Sequence, residues 1–211
     1  QMPLAKVDMF ERLPTPFGLV RYGVAPDHPR IKSVSSSFDR IAENERFRFF
    51  GNVELGRDIQ RTELLDQYDG VVYATGGSKS RALSIPGAEL HNIFGSSTFV
   101  GWYNGHPDQS KLSVDLSSQT AVVIGIGNVA LDIARMLVLS PEQLKKTDVA
   151  DEALNAFKES SVKEVILIAR RGIAQAAFTP KELEQLMGLD DVDLIVDPND
   201  LALDLQTMEQ T

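Results

Sequence analysis

Residues 121–137 read AVVIGIGNVALDIARML, and the fold turns on how they are read. A run of β-branched residues ends at Gly125-Ile126-Gly127-Asn128-Val129-Ala130, after which apolar residues recur at helical spacing. The pattern predicts a strand, a tight turn and a helix. Two glycines allow a sharp turn and let backbone N–H groups approach a ligand, and the small Ala130 lets helix and strand pack closely. A helix N-terminus exposed in this way favours negative charge, such as that of a pyrophosphate. The plainer alternative is a connection whose small residues only relieve crowding. The strand before the turn and the helix after it favour the nucleotide reading.

Downstream, Ser140-Pro141-Glu142-Gln143 carries an N-cap, a proline at the first helical position and a capping-box glutamine, so a second helix starts there. A third is expected near 149–159, and Val162 to Ala169 reads as a strand with Arg170-Arg171-Gly172 at its end. In a dinucleotide fold that strand ends beside the adenosine ribose. An acid there binds a free 2′-hydroxyl, whereas arginine accommodates a 2′-phosphate, so Arg170 and Arg171 favour NADP over NAD. Their distance from the glycines is about twice the usual, because 140–160 insert extra helical material. The alternative is a pair of solvated loop arginines. Thr179-Pro180-Lys181-Glu182 predicts a further capping box and a helix to about Met187, and 192–196 a last strand.

Upstream, residues 5–10 alternate as a short strand ending at Glu11, and 47–55 and 69–77 also read as strands, the last buried and running into Gly76-Gly77. Helices are expected over 31–45 and 63–67. Residues 12–29, rich in Pro and Gly and without period, read as a structured loop of functional type. Strands alternating with helices predict a parallel α/β architecture. Gly, Ser and Pro cluster between two such regions at 76–86, placing a domain boundary there. Glu11 stands where a carboxylate would bind an adenosine ribose, or is a plain surface acid. His28, between Pro26 and Pro29, reads by itself as a structural or exposed histidine, and Asp132 as a helix-surface or first-turn acid.

Composition excludes other classes. The 211 residues contain no cysteine, which removes disulfides, thiolate metal sites, iron–sulfur ligation and dithiol redox chemistry. A net charge of −9 argues against nucleic-acid binding. No apolar run approaches the roughly 20 residues of a membrane helix, and no signal-peptide layout is present. The N-terminal 61 residues carry 10 Lys and Arg against 8 Asp and Glu, leaving 11 against 22, a mild asymmetry that reads as solvated surface or as a docking face. No hydrolytic triad, HExxH or Walker loop is visible, and no metal ligation is expected.

The segments PFGLVRYGVAPDHP, VGWYNGHP, GIGNVALDIAR, RRG and AFTPKEL, in this order from Val7 to about Pro198, resemble the NADPH:ferredoxin (adrenodoxin) reductase family, nearest its bacterial branch. The resemblance implies a flavoprotein with a Rossmann-like NADP-binding domain, 80–211, and an incomplete Rossmann-like FAD-binding domain, 1–79. It implies hydride transfer between NADPH and FAD, then single-electron transfer to a ferredoxin-like carrier with a 2Fe–2S or 4Fe–4S cluster. The compartment implied is the bacterial cytoplasm, or alternatively the mitochondrial matrix. A non-catalytic NADP-binding module that kept the fold is the competing reading.

Carried onto this chain, the resemblance makes Glu11 the ligand of the FAD ribose, with Gly18 and Leu19 lining the FAD site. Gly125, Gly127, Asn128 and Val129 meet the NADPH pyrophosphate, Arg170 and Arg171 its 2′-phosphate, and Glu182 lies near its ribose. His28, Asp132 and Glu184 are the implied residues at the flavin–nicotinamide contact. The family's N-terminal glycine loop and C-terminal half are not in these residues, so the chain is expected to be an internal fragment, inactive alone and weak in binding flavin. Ile126, where many relatives have a polar residue, is expected to matter little.

Overall fold

The computed structural model describes residues 5–77, 80–170 and 172–199. Strand β1 (Val7–Glu11) pairs in parallel with β2 (Phe47–Gly51), Val7 opposite Phe47 and Glu11 opposite Gly51. A parallel pair needs a crossover, and α1 (Gly18–Tyr22), α2 (Pro29–Lys32) and α3 (Ser35–Ala42) supply it. After α4 (Arg61–Gln67) and α5 (Ser96–Tyr103), β3 (Thr120–Ile124) leads into α6 (Asn128–Val138). The chain then forms α7 (Pro141–Leu144), α8 (Asp151–Lys158), β4 (Glu164–Ile168) and α9 (Pro180–Met187). β3 and β4 are again parallel, Thr120 opposite Glu164 and Ile124 opposite Ile168. The α/β architecture expected from the alternation of elements is thus present, as two separate parallel pairs. Among the described residues no helix is long and apolar enough to cross a membrane.

The main core lies beside the second pair. Phe99 and Trp102 of α5, Met136 and Leu137 of α6 and Phe157 of α8 are buried together, with the Trp102 and Phe157 rings 5.4 Å apart. α5 has no counterpart in the sequence reading. Five consecutive residues from Phe99 to Tyr103 are buried, so the helix is covered all round and carries no amphipathic period to reveal it. The capping box at Ser140 forms as expected: Gln143 Oε1 accepts the Ser140 N–H at 2.9 Å, and Ser140 Oγ accepts the Gln143 N–H at 3.3 Å.

Two expected strands are not strands. Residues 69–77 form no ladder, and Val72 is 89% exposed. Residues 192–196 likewise run unpaired, with Ile195 88% exposed. Their apolar, β-branched composition is real, but a strand exists only where a neighbour takes its N–H and C=O groups, and these residues pair with neither β1–β2 nor β3–β4. The expected strand 47–55 stops at Gly51, and the expected helix 31–45 is broken at 33–34 into α2 and α3. The loop 12–29 holds α1 and the start of α2. Phe17 enters α1 with φ +84°, a left-handed conformation that is costly for a bulky side chain.

The segment 12–32 is fastened to the second half of the chain. Arg12 forks onto the Asp108 carboxylate at 2.9 and 2.7 Å, Lys32 donates to Asp148 at 2.8 Å and to Asn104 at 3.0 Å, and the Tyr22 ring meets the His106 ring edge-on at 4.8 Å. His106 Nδ1 accepts the Asp108 N–H at 3.1 Å, which requires a neutral ring, and burial lowers its pKa. A histidine pKa depressed by folding means that the unfolded chain binds the proton more readily. Stability is therefore expected to be full above pH about 6.5 and to decline as pH falls below it. His106→Gln should flatten that decline in thermal melts taken between pH 7.5 and 5; a decline of the same size in the variant would remove His106 as its cause.

Candidate dinucleotide and redox site

The glycine turn is held on both sides. Beyond β3, the Gly125 N–H donates to the Ile168 carbonyl at 2.8 Å, and the Ile126 carbonyl accepts the Ala177 N–H at 3.0 Å. Gly125 has φ +135°, a conformation only glycine adopts without strain. Gly127 is different: its φ is −121°, and an added Cβ would meet nothing closer than 3.9 Å. The fold itself does not require glycine there; the missing side chain leaves room at the N-terminus of α6, where the Asn128 and Val129 N–H groups precede the first intrahelical bonds, made by Ala130 and Leu131 to the Gly127 carbonyl. Asn128 Oδ1 accepts the Thr179 N–H at 2.7 Å, tying the start of α6 to the start of α9. Val129 is exposed on the same first turn.

Gly125, Gly127, Ala169, Arg170, Gln175 and Ala177 are among the residues that line an open cavity of about 200 Å³. Arg170 thus stands at the end of β4 across from the turn, exposed; Arg171 lies outside the described residues. The capping box expected at Thr179 does not form: the Thr179 side chain makes no cap bond. Glu182 is instead turned inward and buried.

Glu182 belongs to a second constellation, centred on Arg135. Arg135 is 2% exposed. Its Nε donates to Asp27 Oδ2 at 2.5 Å, and Nη2 lies 3.0 Å from Asp27 Oδ1, 2.7 Å from Asp132 Oδ1 and 2.8 Å from His28 Nε2. Nη1 is 3.5 Å from Glu182 Oε2, an ion pair without a hydrogen bond, and both atoms are buried without a hydrogen-bond partner. His28 Nε2 also lies 2.9 Å from Gln185 Oε1 and 3.7 Å from Glu182 Oε2. The same ring nitrogen, Nε2, thus meets a pure donor in Arg135 and an amide in Gln185 that can turn to donate or accept. Burial works against the charge on Arg135, but hydrogen bonds and charge from Asp27, then Asp132, outweigh it and raise its pKa. Burial, reinforced by Asp132, pushes the Tyr103 phenol up. By distance alone His28, Asp132 and Glu182 could ligate a metal, since each offers an atom within 4.8 Å of the others.

The structure therefore brings His28, Asp132 and Glu182 together, from the loop, α6 and α9. It does not bring Glu184 to them. Successive helical residues turn by about 100°, so Glu182 and Gln185 share a face while Glu184 points out, exposed. Glu11 is half-buried at the end of β1, where Oε1 accepts the Leu13 N–H at 3.0 Å. Gly18 and Leu19 open α1, with Leu19 78% exposed. Sequence reasoning missed Arg135, Asp27 and Gln185. The available signals were a charged residue inside the apolar run Ile133-Ala134-Arg135-Met136-Leu137 and the three-residue spacing of Glu182 and Gln185.

A parallel strand pair with a glycine turn and an arginine at the neighbouring strand's end is the arrangement in which open α/β folds hold dinucleotides. Residues 8–188 match the pyridine nucleotide-disulphide oxidoreductase family, and the chain belongs to it. It is 53% identical over 195 residues to the NADPH-ferredoxin reductase FprA of Mycobacterium tuberculosis, covering 92% of this chain and 43% of that protein. To the human mitochondrial NADPH:adrenodoxin oxidoreductase it is 50% identical over 198 residues, covering 94% and 40%. The solved structure of M. tuberculosis FprA in complex with NADPH superposes with a TM-score of 0.92 at 53% identity, over 93% of this chain and 44% of that one. The chain thus spans about two-fifths of the length of these relatives.

The two glycines should respond differently to alanine. Gly125→Ala is expected to cost about 1–3 kcal/mol of stability through backbone strain. Gly127→Ala should leave the melting temperature nearly unchanged but weaken dinucleotide binding. Paired thermal melts and binding titrations check this, and a Gly127→Ala protein that binds as tightly as the parent would show that the turn does not face the ligand.

Proposed function

We propose that the protein carrying this chain is an FAD-dependent NADPH oxidoreductase of the ferredoxin-reductase type. The observation that carries the reading is the cavity in which Arg170 faces the Gly125–Gly127 turn: backbone donors for a pyrophosphate stand beside a fixed cation for a 2′-phosphate. Bound NADPH and flavin would supply the hydride and single-electron chemistry. This chain's residues bind and orient. Asn128 and Val129 offer N–H groups to the pyrophosphate, and Arg170 with Arg171 pairs with the 2′-phosphate.

On the flavin side, Glu11 offers the carboxylate oxygen not taken by Leu13 to a ribose hydroxyl. Gly18 and the exposed Leu19 form an apolar wall, and the left-handed Phe17 before them is the kind of strain that collects at ligand sites. His28 and Asp132 are the residues proposed to hold a proton at the redox centre, a reading supported by the contacts that fix His28 against Arg135 and Gln185. Glu184, on the open face of α9, is a weaker candidate on geometry. We place the flavin half at 1–79 and the NADP half at 80–211; the separate strand pairs and the packing of α5 against α6 and α8 support that division.

The electron acceptor proposed is a ferredoxin-like protein with a 2Fe–2S or 4Fe–4S cluster, in keeping with the names of the relatives. Their sources support the bacterial cytoplasm, with the mitochondrial matrix as the alternative.

The decisive experiment adds NADPH anaerobically to the holoprotein and follows flavin absorbance, then ferredoxin reduction. Bleaching followed by reduction is the expected outcome; absence of any bound flavin overturns the reading. Arg170→Ala with Arg171→Ala should raise the Kd for NADPH about tenfold or more, each charge-assisted bond being worth roughly 1.5–3 kcal/mol, and leave NADH binding unchanged. Equal losses for both nucleotides would refute the assignment to the 2′-phosphate.

A further inference from the structure

The buried cluster contains more anions than its one arginine balances. Asp27, Asp132 and Glu182 converge on Arg135, with His28 wedged between the guanidinium and α9. His28, Asp132 and Glu182 by themselves have the spacing of a metal-ligand set, their nearest atoms lying within 4.8 Å of one another. The guanidinium lies among those same atoms, 2.7 Å from Asp132, 2.8 Å from His28 and 3.5 Å from Glu182. Arg135 Nη1 and Glu182 Oε2 face each other as charges but form no hydrogen bond, in side chains 3% and 10% exposed. Glu182 is thus drawn in by positive charge, as a metal ligand is.

We propose that Arg135 is a positioning residue whose guanidinium stands in the place of a divalent cation among His28, Asp132 and Glu182, holding them, with Asp27, in one arrangement across the loop, α6 and α9. The proposal rests on the reading of this cluster as part of the redox centre. An arginine suits that place better than an ion. It stays protonated at every physiological pH, its planar fork fixes direction as well as charge, and it does not exchange with solvent. It also closes to metal ions a ligand set of nitrogen and oxygen donors that Zn²⁺ or Co²⁺ would otherwise fit.

The test removes the resident cation and offers another. In Arg135→Met the three ligands face one another without a counter-charge. In Arg135→Met/Asp27→Asn one surplus anion is also neutralised, which protects folding. Co²⁺ is titrated into both variants and the parent, read by its visible absorption and by thermal shift. The parent should show neither a new band nor a shift. The variants should show both, with Co²⁺ bound about tenfold tighter or more than by the parent, and adding His28→Gln should abolish the band. If neither variant folds in buffer, refolding with and without Co²⁺ decides: recovery only with the ion supports the proposal, and failure in both conditions overturns it. Equal Co²⁺ binding by the parent, or none by a folded variant, also overturns it. Binding of 2′,5′-ADP is measured in the same samples. Its absence in the parent would sink the cofactor reading while leaving the Co²⁺ result to stand.

Discussion

A guanidinium survives burial only where its charge and its N–H groups are met together. Arg135 has its charge met, and Nε and Nη2 hydrogen-bonded, by drawing on three parts of the chain, while Nη1 faces Glu182 as an ion pair only. Asp27 and His28 come from the loop after α1, Asp132 from the preceding turn of its own helix, and Glu182 from α9. The helix that starts at the glycine turn is thereby tied to the loop beside the first strand pair. Taking the arginine away would leave buried carboxylates facing each other, a loss typically of about 3–5 kcal/mol. The Arg12–Asp108 and Lys32–Asp148 pairs join the same regions, but they are partly exposed, and exposed pairs contribute little.

The glycine turn depends on a different constraint, the pairing of β3 with β4. Because the ladder continues from Ile124 into the Gly125–Ile168 bond, the glycine turn and Arg170 emerge at the same end of adjacent strands. Parallel neighbours deliver their C-terminal ends side by side, where open α/β sheets bind ligands. The extra helices α7 and α8 lengthen the connection without altering that outcome. This is why an arginine more than forty residues from the glycines can still share a cavity with them.

Much of this was legible in the chain, and the misses share a physical cause. The Gly125–Gly127 turn, the cap at Ser140 and the strands around Val7 and Val165 are set by local sterics and short-range hydrogen bonds. The strands expected at 69–77 and 192–196 have the right composition, but pairing is non-local and no edge receives them. The box expected at Thr179 fails because Asn128 takes the Thr179 N–H and Arg135 takes the charge of Glu182. α5 was invisible for the opposite reason, being buried on every side.

Sequence by itself therefore determined the α/β class and the glycine turn between strand and helix, since each rests on backbone geometry carried by a short motif. Only the tertiary structure decided which charges meet. It placed Glu182 and Gln185, but not Glu184, against His28, and it set Arg135 among them. Electrostatic partners are chosen by distance through space, and three segments spread over 157 residues of chain acquire that distance only when the helices pack.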